Sequence, residues 1–481
     1  MFNTSREPTH PSRRAFLAGT AAGAGAGLVG LPAAAQAAGP LDGGDAWPDG
    51  PGRPNLPQDP DAELRAILAA VDPKRIEANV RTLVSFGTRH TLSSQDDPKR
   101  GIGAARDWIY DTLQSYAAAS GGHMTVEKQS YVQQPANRIP TATTITNVLA
   151  TLRGSEDANR VYVISGHYDS RVTDVMNATD DAPGADDDAS GVAVSMELAR
   201  VMATRRPRAT LVFAAVAGEE QGLYGSDHMA QVFQDQGADV QGMFTNDIDG
   251  SSTADDGSRD PRSIRLFAEG VPTAETEAEA NVRRSVGGEN DSPARQLARF
   301  VTEVADNQAT GMNVRVIYRR DRYLRGGDHI SFLQRRFPAA RFTEPNENFA
   351  HQHQDVRVEN GRQFGDLPEF CDFDFIARVA RVNGATLWSL ANAPGTPKNA
   401  FVNTSALDNN TALGWDPVPG AAGYEVVWRP TTDDDWTHVI PVSGTRVTVD
   451  LSKDNVFFAV RSVDAQGRRS PAAFPTPRAA G

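Results

Sequence analysis

Five short stretches of this chain carry imidazole and carboxylate groups where a folded sheet would display them. The first is Gly166-His167-Tyr168-Asp169, directly after an apolar run at residues 161–164. So short a run of β-branched residues predicts a buried strand, which puts His167 and Asp169 at its C-terminal end. The second is the segment GADDDASG, with adjacent carboxylates at Asp186, Asp187 and Asp188. The third is Glu219-Glu220, just past the apolar run at residues 211–217. The fourth is Asp247 in FTNDIDG, and the fifth is the pair His351 and His353 in NFAHQHQD. Open α/β sheets hold their ligands beyond the carboxyl ends of their strands. Imidazole and carboxylate together suit zinc. Each stretch alone has a plainer explanation. A histidine at a strand end is more often a satisfied structural residue, Glu219-Glu220 would suit the first turn of a helix, and Asp187 or Asp188 could be loop caps or spare ligands. The succession of all five is what argues for a metal site.

The elements that must position these groups follow from periodicity. Residues 124–132 and 143–152 read as strands that pair in a hairpin. Residues 191–205 read as a helix that buries Val192, Val194, Leu198, Val201 and Met202, and the strand at 211–217 follows it. Strand, helix, strand is the order a parallel sheet requires. A helix at 226–236, a strand at 244–249, a short strand at 264–267 and a helix at 293–306 continue the pattern. Helices at 62–71, 73–86 and 101–117 precede it, and a long helix at 370–390 closes it. The predicted fold is α/β, a mixed and mainly parallel sheet sandwiched by helices, over residues 61–392.

With those residues in view, the chain resembles the M28 zinc peptidases of the co-catalytic two-zinc aminopeptidase type. The motifs that carry the resemblance stand here as GHYDS, PGADDDASG, GEEQGLYGS, NDIDG, GGDHISF and HQHQD. In GGDHISF the match is looser, because Gly327 stands where the family usually shows Ser. The resemblance implies His167, Asp186, Glu220, Asp247 and His351 as metal ligands, with Asp186 bridging two zinc ions, and it implies a cis peptide between Asp186 and Asp187. It implies Glu219 as the general base that takes a proton from water, and Asp328-His329 as supporting rather than ligating. The chemistry is consistent with this: one carboxylate has two oxygens and can serve two metals a few ångströms apart. Asp169 would hold His167 in its metal-binding tautomer. The substrates implied are peptides or proteins, and the reaction is hydrolysis. Two rivals share the fold: a carboxypeptidase or dipeptidase, favoured if the arginines of residues 314–325 reach the site, and a single-zinc glutaminyl cyclase. A non-catalytic binding protein is a third.

The ends of the chain read differently. Ser12-Arg13-Arg14 followed by an Ala/Gly/Leu-rich stretch and Ala35-Gln36-Ala37 is a twin-arginine signal peptide over residues 1–37. It predicts a secreted or periplasmic protein with no stable membrane insertion after cleavage. Residues 38–60, rich in Gly, Pro and Asp, read as a disordered leader. Residues 393–400 read as a flexible linker. Residues 401–481 show short strands and turn clusters, and with Trp415, Tyr424 and FFAVRSVDAQGRRSP they resemble a fibronectin type III β-sandwich. Such a module is expected to bind a surface or polymer, and its deletion from Gly395 onward to leave small-peptide hydrolysis intact. The single cysteine, Cys371, excludes an intramolecular disulfide, and the net charge of -13 over 481 residues argues against nucleic acid as a partner.

Overall fold

The computed structural model describes residues 48–479. An eight-stranded sheet runs, from edge to edge, Met124–Gln133, Thr143–Leu152, Ala209–Val216, Asp157–His167, Asp239–Asn246, Ala339–Thr343, Ser263–Phe267 and Asn313–Ile317. The first two strands pair antiparallel over their whole length, Met124 opposite Leu152 and Gln133 opposite Thr143, as the hairpin reading requires. The four pairings between Asp157–His167 and its two neighbours, Asp239–Asn246 and Ala339–Thr343, and Ser263–Phe267 and Asn313–Ile317 are parallel. The sheet is therefore mixed, with its parallel heart around the strand that ends in His167.

That strand shows why its residues are there. Tyr162 and Ile164 pack into one core, with the helices Ala189–Met202 and Phe373–Asn392. Val161 and Val163 pack into the other, with Met229, Ala230, Phe332 and Leu333 from helices on the opposite face. Alternate residues of a strand point to opposite faces, so an unbroken apolar run is a strand covered on both. The helix Ala189–Met202 comes so close that a Cβ on Gly191 would lie 2.1 Å from the Asn246 carbonyl oxygen, and one on Gly166 would lie 2.3 Å from the Gly191 backbone. Only glycine fits at such a crossing. It presses the loop Gly184–Asp188 against the end of the His167 strand.

The C-terminal region is a second layered unit. The strands Phe401–Asn403, Thr411–Gly414, Arg446–Val449 and Thr476–Arg478 form one four-stranded sheet, and Gly423–Pro430, His438–Val442 and Val456–Val463 belong to another. Leu413 and Val449 of the first sheet share a core with Val426, Trp428, Phe458 and Val460 of the second.

The fourth strand of that second sheet corrects the reading of the leader. Arg53–Pro54 pairs antiparallel with Val439 and His438, and the Trp428 indole donates to the Pro51 carbonyl at 2.8 Å. Arg53–Pro54 is thus a short edge strand within the segment read as a disordered leader. The remainder of the leader before residue 48, and the signal peptide, lie outside the described residues.

The linker and the module are also held. The Thr396 amide donates to Gln241, and Arg160 donates to the Ala393 carbonyl. Asp291, fully buried, pairs at 2.8 Å both with Arg299 and with Arg429 of the module. Trp436 donates to Gln296, and Glu303 receives Arg461 and Arg469. Gly50–Gly481 forms one compact unit. Among the described residues no helix is long and apolar enough to cross a membrane.

Candidate metal centre

The strand end, the loop before the helix Ala189–Met202 and three later segments converge at one cleft. Two groups of donor atoms lie there, each with its atoms within 4.8 Å of one another: His167, Asp187 and Asp247, and Asp187, Glu220 and His353. Asp187 belongs to both. Its Oδ1 is 3.1 Å from His167 Nε2, and its Oδ2 is 2.7 Å from His353 Nε2. Asp247 reaches the first group through Oδ2, 4.0 Å from His167 Nε2. Glu220 reaches the second through Oε1, 2.8 Å from His353 Nε2.

Two of the residues named from the sequence are elsewhere. Asp186, expected to bridge, turns its carboxylate away: Oδ1 accepts from the Gly250 amide at 2.6 Å. Burial, reinforced by the nearby Asp366 carboxylate, holds Asp186 well above the usual carboxylate range. The residue at the shared position is Asp187, the next along the chain, and the cis peptide lies at Asp187–Asp188 rather than Asp186–Asp187. Asp188 caps the helix, accepting from the Gly191 amide with Oδ1 and from the His167 amide with Oδ2. His351, expected as a ligand, instead stacks on Phe370 with ring centroids 3.5 Å apart and 5° between planes. His353, at φ 53°, is the histidine that turns into the cleft. Three consecutive aspartates, and two histidines one residue apart on a loop, carry no periodicity that could have told the sequence reader which faces inward.

Asp169 lies beneath the cluster, fully buried. His167 Nδ1 is 3.1 Å from the Asp169 backbone carbonyl and 3.6 Å from its carboxylate. The same carboxylate accepts from the Thr91 hydroxyl and from the amides of Glu219 and Glu220. One side chain therefore orients an imidazole and fixes the turn that presents both glutamates. Gly218 enters that turn at φ 76°, the left-handed region that suits glycine. Glu220 faces His353 and pairs with Arg171, whereas Glu219 lines the cleft and belongs to neither donor group. Burial pushes Glu219 well above the usual carboxylate range; the His167 charge opposes this, and Asp247 and Glu220 add to it.

Further residues complete the site, and among them the sequence pointed only to the arginines of residues 314–325. Asp366 accepts from the amides of Asp186 and Asp187 and so fixes the loop. Gln352 donates to Asp187 Oδ2. Arg138 donates to the Glu220 carbonyl, and with Arg322 and Arg325 it lines the cleft. Two members of the arginine stretch thus reach the site. The cleft encloses about 410 Å³.

A sequence profile of peptidase family M28 matches residues 147–360, the span that holds every donor above. A probable zinc metalloprotease of Pyrenophora teres f. teres is 57% identical over 454 residues, which is 93% of this chain and 94% of that one. The chain belongs to peptidase family M28. A probable zinc metalloprotease of Pyricularia oryzae is 58% identical over 87% of this chain and 85% of its own. The crystal structure of the Legionella pneumophila LapA aminopeptidase shares the fold, with a TM-score of 0.50 and 20% identity over 69% of this chain and 74% of that one.

The donor set of this M28 metallopeptidase fits the zinc that its relatives' names carry. Glu220 Oε1 and Asp187 Oδ2 crowd the same buried nitrogen, His353 Nε2, at 2.8 and 2.7 Å, so two carboxylates converge on one imidazole. Burial alone would lower the His353 imidazole, but Glu220 and Asp187 outweigh it and push it up to about 10. Such a site attracts a cation, and a metal would take the place of that proton.

Proposed function

We propose that this metallopeptidase is an exported exopeptidase of the aminopeptidase type that holds two zinc ions. The observation that carries the reading is the shared carboxylate: the two oxygens of Asp187 face two different imidazoles. His167 and Asp247 would hold one ion, His353 and Glu220 the other, with Asp187 between them. Zinc bound there would supply Lewis acidity and lower the pKa of water. Glu219, placed on the cleft wall and outside both donor groups, takes the proton of the attacking water and returns it to the leaving amine. Asp169 acts through His167 and the Glu219-Glu220 turn, as a positioning residue.

The two histidines of the NFAHQHQD loop provide a direct check. His353→Ala is expected to retain one zinc per chain after dialysis, while His351→Ala retains two. Metal analysis of both variants decides it, and the opposite pattern would return the ligand role to His351. One zinc in the wild-type protein at saturation would favour the cyclase reading.

A second reading has a specific observation behind it. Arg138, Arg322 and Arg325 line the cleft; Arg322 and Arg325 share Glu347 and Arg138 holds the Glu220 carbonyl, so a substrate carboxylate would meet their remaining N–H groups. They favour a substrate with a free carboxylate near the scissile bond, as in carboxypeptidase or dipeptidase action. Peptides with free ends, blocked amino ends and blocked carboxyl ends separate the readings. The aminopeptidase reading expects N-blocking to abolish hydrolysis and C-blocking to leave it nearly unchanged; the reverse result would overturn it in favour of carboxypeptidase action.

The twin-arginine signal supports export, and reporter fusions of residues 1–37 in a host with and without twin-arginine transport would test it. The two-sheet sandwich supports a fibronectin type III-like module, and binding to a surface or polymer is its proposed role.

A further inference from the structure

Asp247 has two oxygens, and only Oδ2 faces the donor group. Oδ1 is taken by Arg341 Nη2 at 2.6 Å. Arg341 stands on the strand Ala339–Thr343, beside the strand that leads to Asp247, and its side chain has no solvent exposure. Its other terminal nitrogen, Nη1, donates to the Gly326 carbonyl at 2.8 Å and to Asp321 Oδ2 at 3.3 Å. Asp321 and Gly326 bound the segment whose Arg322 and Arg325 line the cleft. One planar guanidinium thus joins a donor of the metal centre to the base of the arginine-bearing rim.

The space for that guanidinium comes from Gly327. A Cβ there would lie 2.7 Å from Arg341 Nη1 and 3.3 Å from Asp247 Oδ2. Gly327 does not sit at positive φ, so its backbone does not require glycine. Steric room for Arg341 is the reason for it that the contacts supply. A fully buried arginine is expensive unless it is paired and hydrogen-bonded. Here its terminal nitrogens meet two carboxylates and a carbonyl.

We infer that Arg341, seated by Gly327, is a positioning residue: its fork fixes Asp247 so that one chosen oxygen faces the metal, and ties the same strand to the rim that meets substrate. The inference rests on the metal-site reading above. A cation beside a ligand carboxylate has two opposed effects. Its charge disfavours a second cation nearby, whereas the orientation it imposes favours one. The geometry commits to the second effect as the larger, because Asp247 has no other side-chain partner on Oδ1 among the described residues.

The test is zinc affinity of the full chain, read by competition with a chromogenic chelator, for wild type, Arg341→Met, Arg341→Lys, Gly327→Ala and the Gly327→Ala/Arg341→Met pair. Arg341→Met is expected to weaken one of the two zinc sites about 10- to 100-fold, the usual scale for losing a group that orients a ligand. Lysine keeps the charge but cannot fork, so Arg341→Lys should not rescue. Gly327→Ala should weaken the same site, and the pair should be no worse than Arg341→Met alone, because both changes remove one arrangement. Unchanged or tighter zinc binding in Arg341→Met overturns the inference, as does full rescue by lysine. If Arg341→Met fails to fold, Gly327→Ala and Arg341→Lys decide by the same readout. Failure of the wild-type chain to bind a second zinc would instead sink the metal-site reading, which keeps the two failures apart.

Discussion

Glu219→Gln is expected to keep both zinc ions and the substrate's KM while kcat falls by roughly two to four orders of magnitude, the scale of a lost general base. The geometry makes the separation possible. Glu219 and Glu220 are adjacent, yet the turn entered at Gly218 sends them different ways: Glu220 to His353 and Arg171, Glu219 to the open wall of the cleft. The amide of each is held by Asp169 whatever the side chain, so glutamine at 219 leaves the turn in place. Glu220→Gln differs in kind. It removes a charged donor from the second group, so zinc should be lost from one site and part of the activity should return on adding zinc. Metal analysis beside steady-state kinetics distinguishes them. Near-normal turnover in Glu219→Gln would remove that residue from the mechanism. Zinc loss from it alone would exchange the two roles.

Deletion of residues 395–481 is expected to abolish soluble folding, the opposite of what a flexible linker implies. The module brings Arg429 to Asp291, which lies fully buried between it and Arg299. The deletion takes away that counter-charge together with the module that covers Asp291, so the whole interface is lost at once. Here the Glu303 contacts with Arg461 and Arg469 and the Trp436–Gln296 bond go as well. Against a total stability of about 5–15 kcal/mol for a typical domain, such losses reach the whole margin. Soluble yield and the thermal melt of the truncated chain measure the outcome. A truncated protein that melts with the full chain and hydrolyses peptides at the same rate would show the module to be an appendage. Arg429→Met, which breaks one pair and adds no truncation, should lower the melting temperature by a lesser amount.

The elements of the sheet were legible because burial on both faces leaves a plain mark. The runs that become Asp157–His167 and Ala209–Val216 are apolar at nearly every central position, and the glycines at 166 and 191 mark where backbone meets backbone. The regions of the donors were legible for the same reason, since they follow those runs. The individual donors were not always. Asp187 differs from Asp186 and Asp188 only in where the loop sends its carboxylate, which Asp366 and the helix cap determine from outside the motif. His353 differs from His351 by a left-handed backbone and by the absence of a Phe370 to stack upon. The helix Glu277–Val286 went unread although its capping box, Thr276 with Glu279, stands in the sequence; its face is mostly polar, and only Ala280 is buried. Arg341 gave no signal at all, because an arginine inside a strand is ordinarily an exposed one.

The edge strand at Arg53–Pro54 also sets an order of events during synthesis. Pro51 and its indole partner Trp428 are 377 residues apart in the chain. At about 5–20 residues per second, roughly 20–75 s separate their emergence from the ribosome. By then every donor of the cleft, the last of them His353, has already been made. The donors of the cleft are therefore all synthesised before Arg429 can reach Asp291 and before Arg53–Pro54 has the strand it borders. Closure of the molecule comes last, and the N-terminal segment is released from solvent only when almost the whole polypeptide exists.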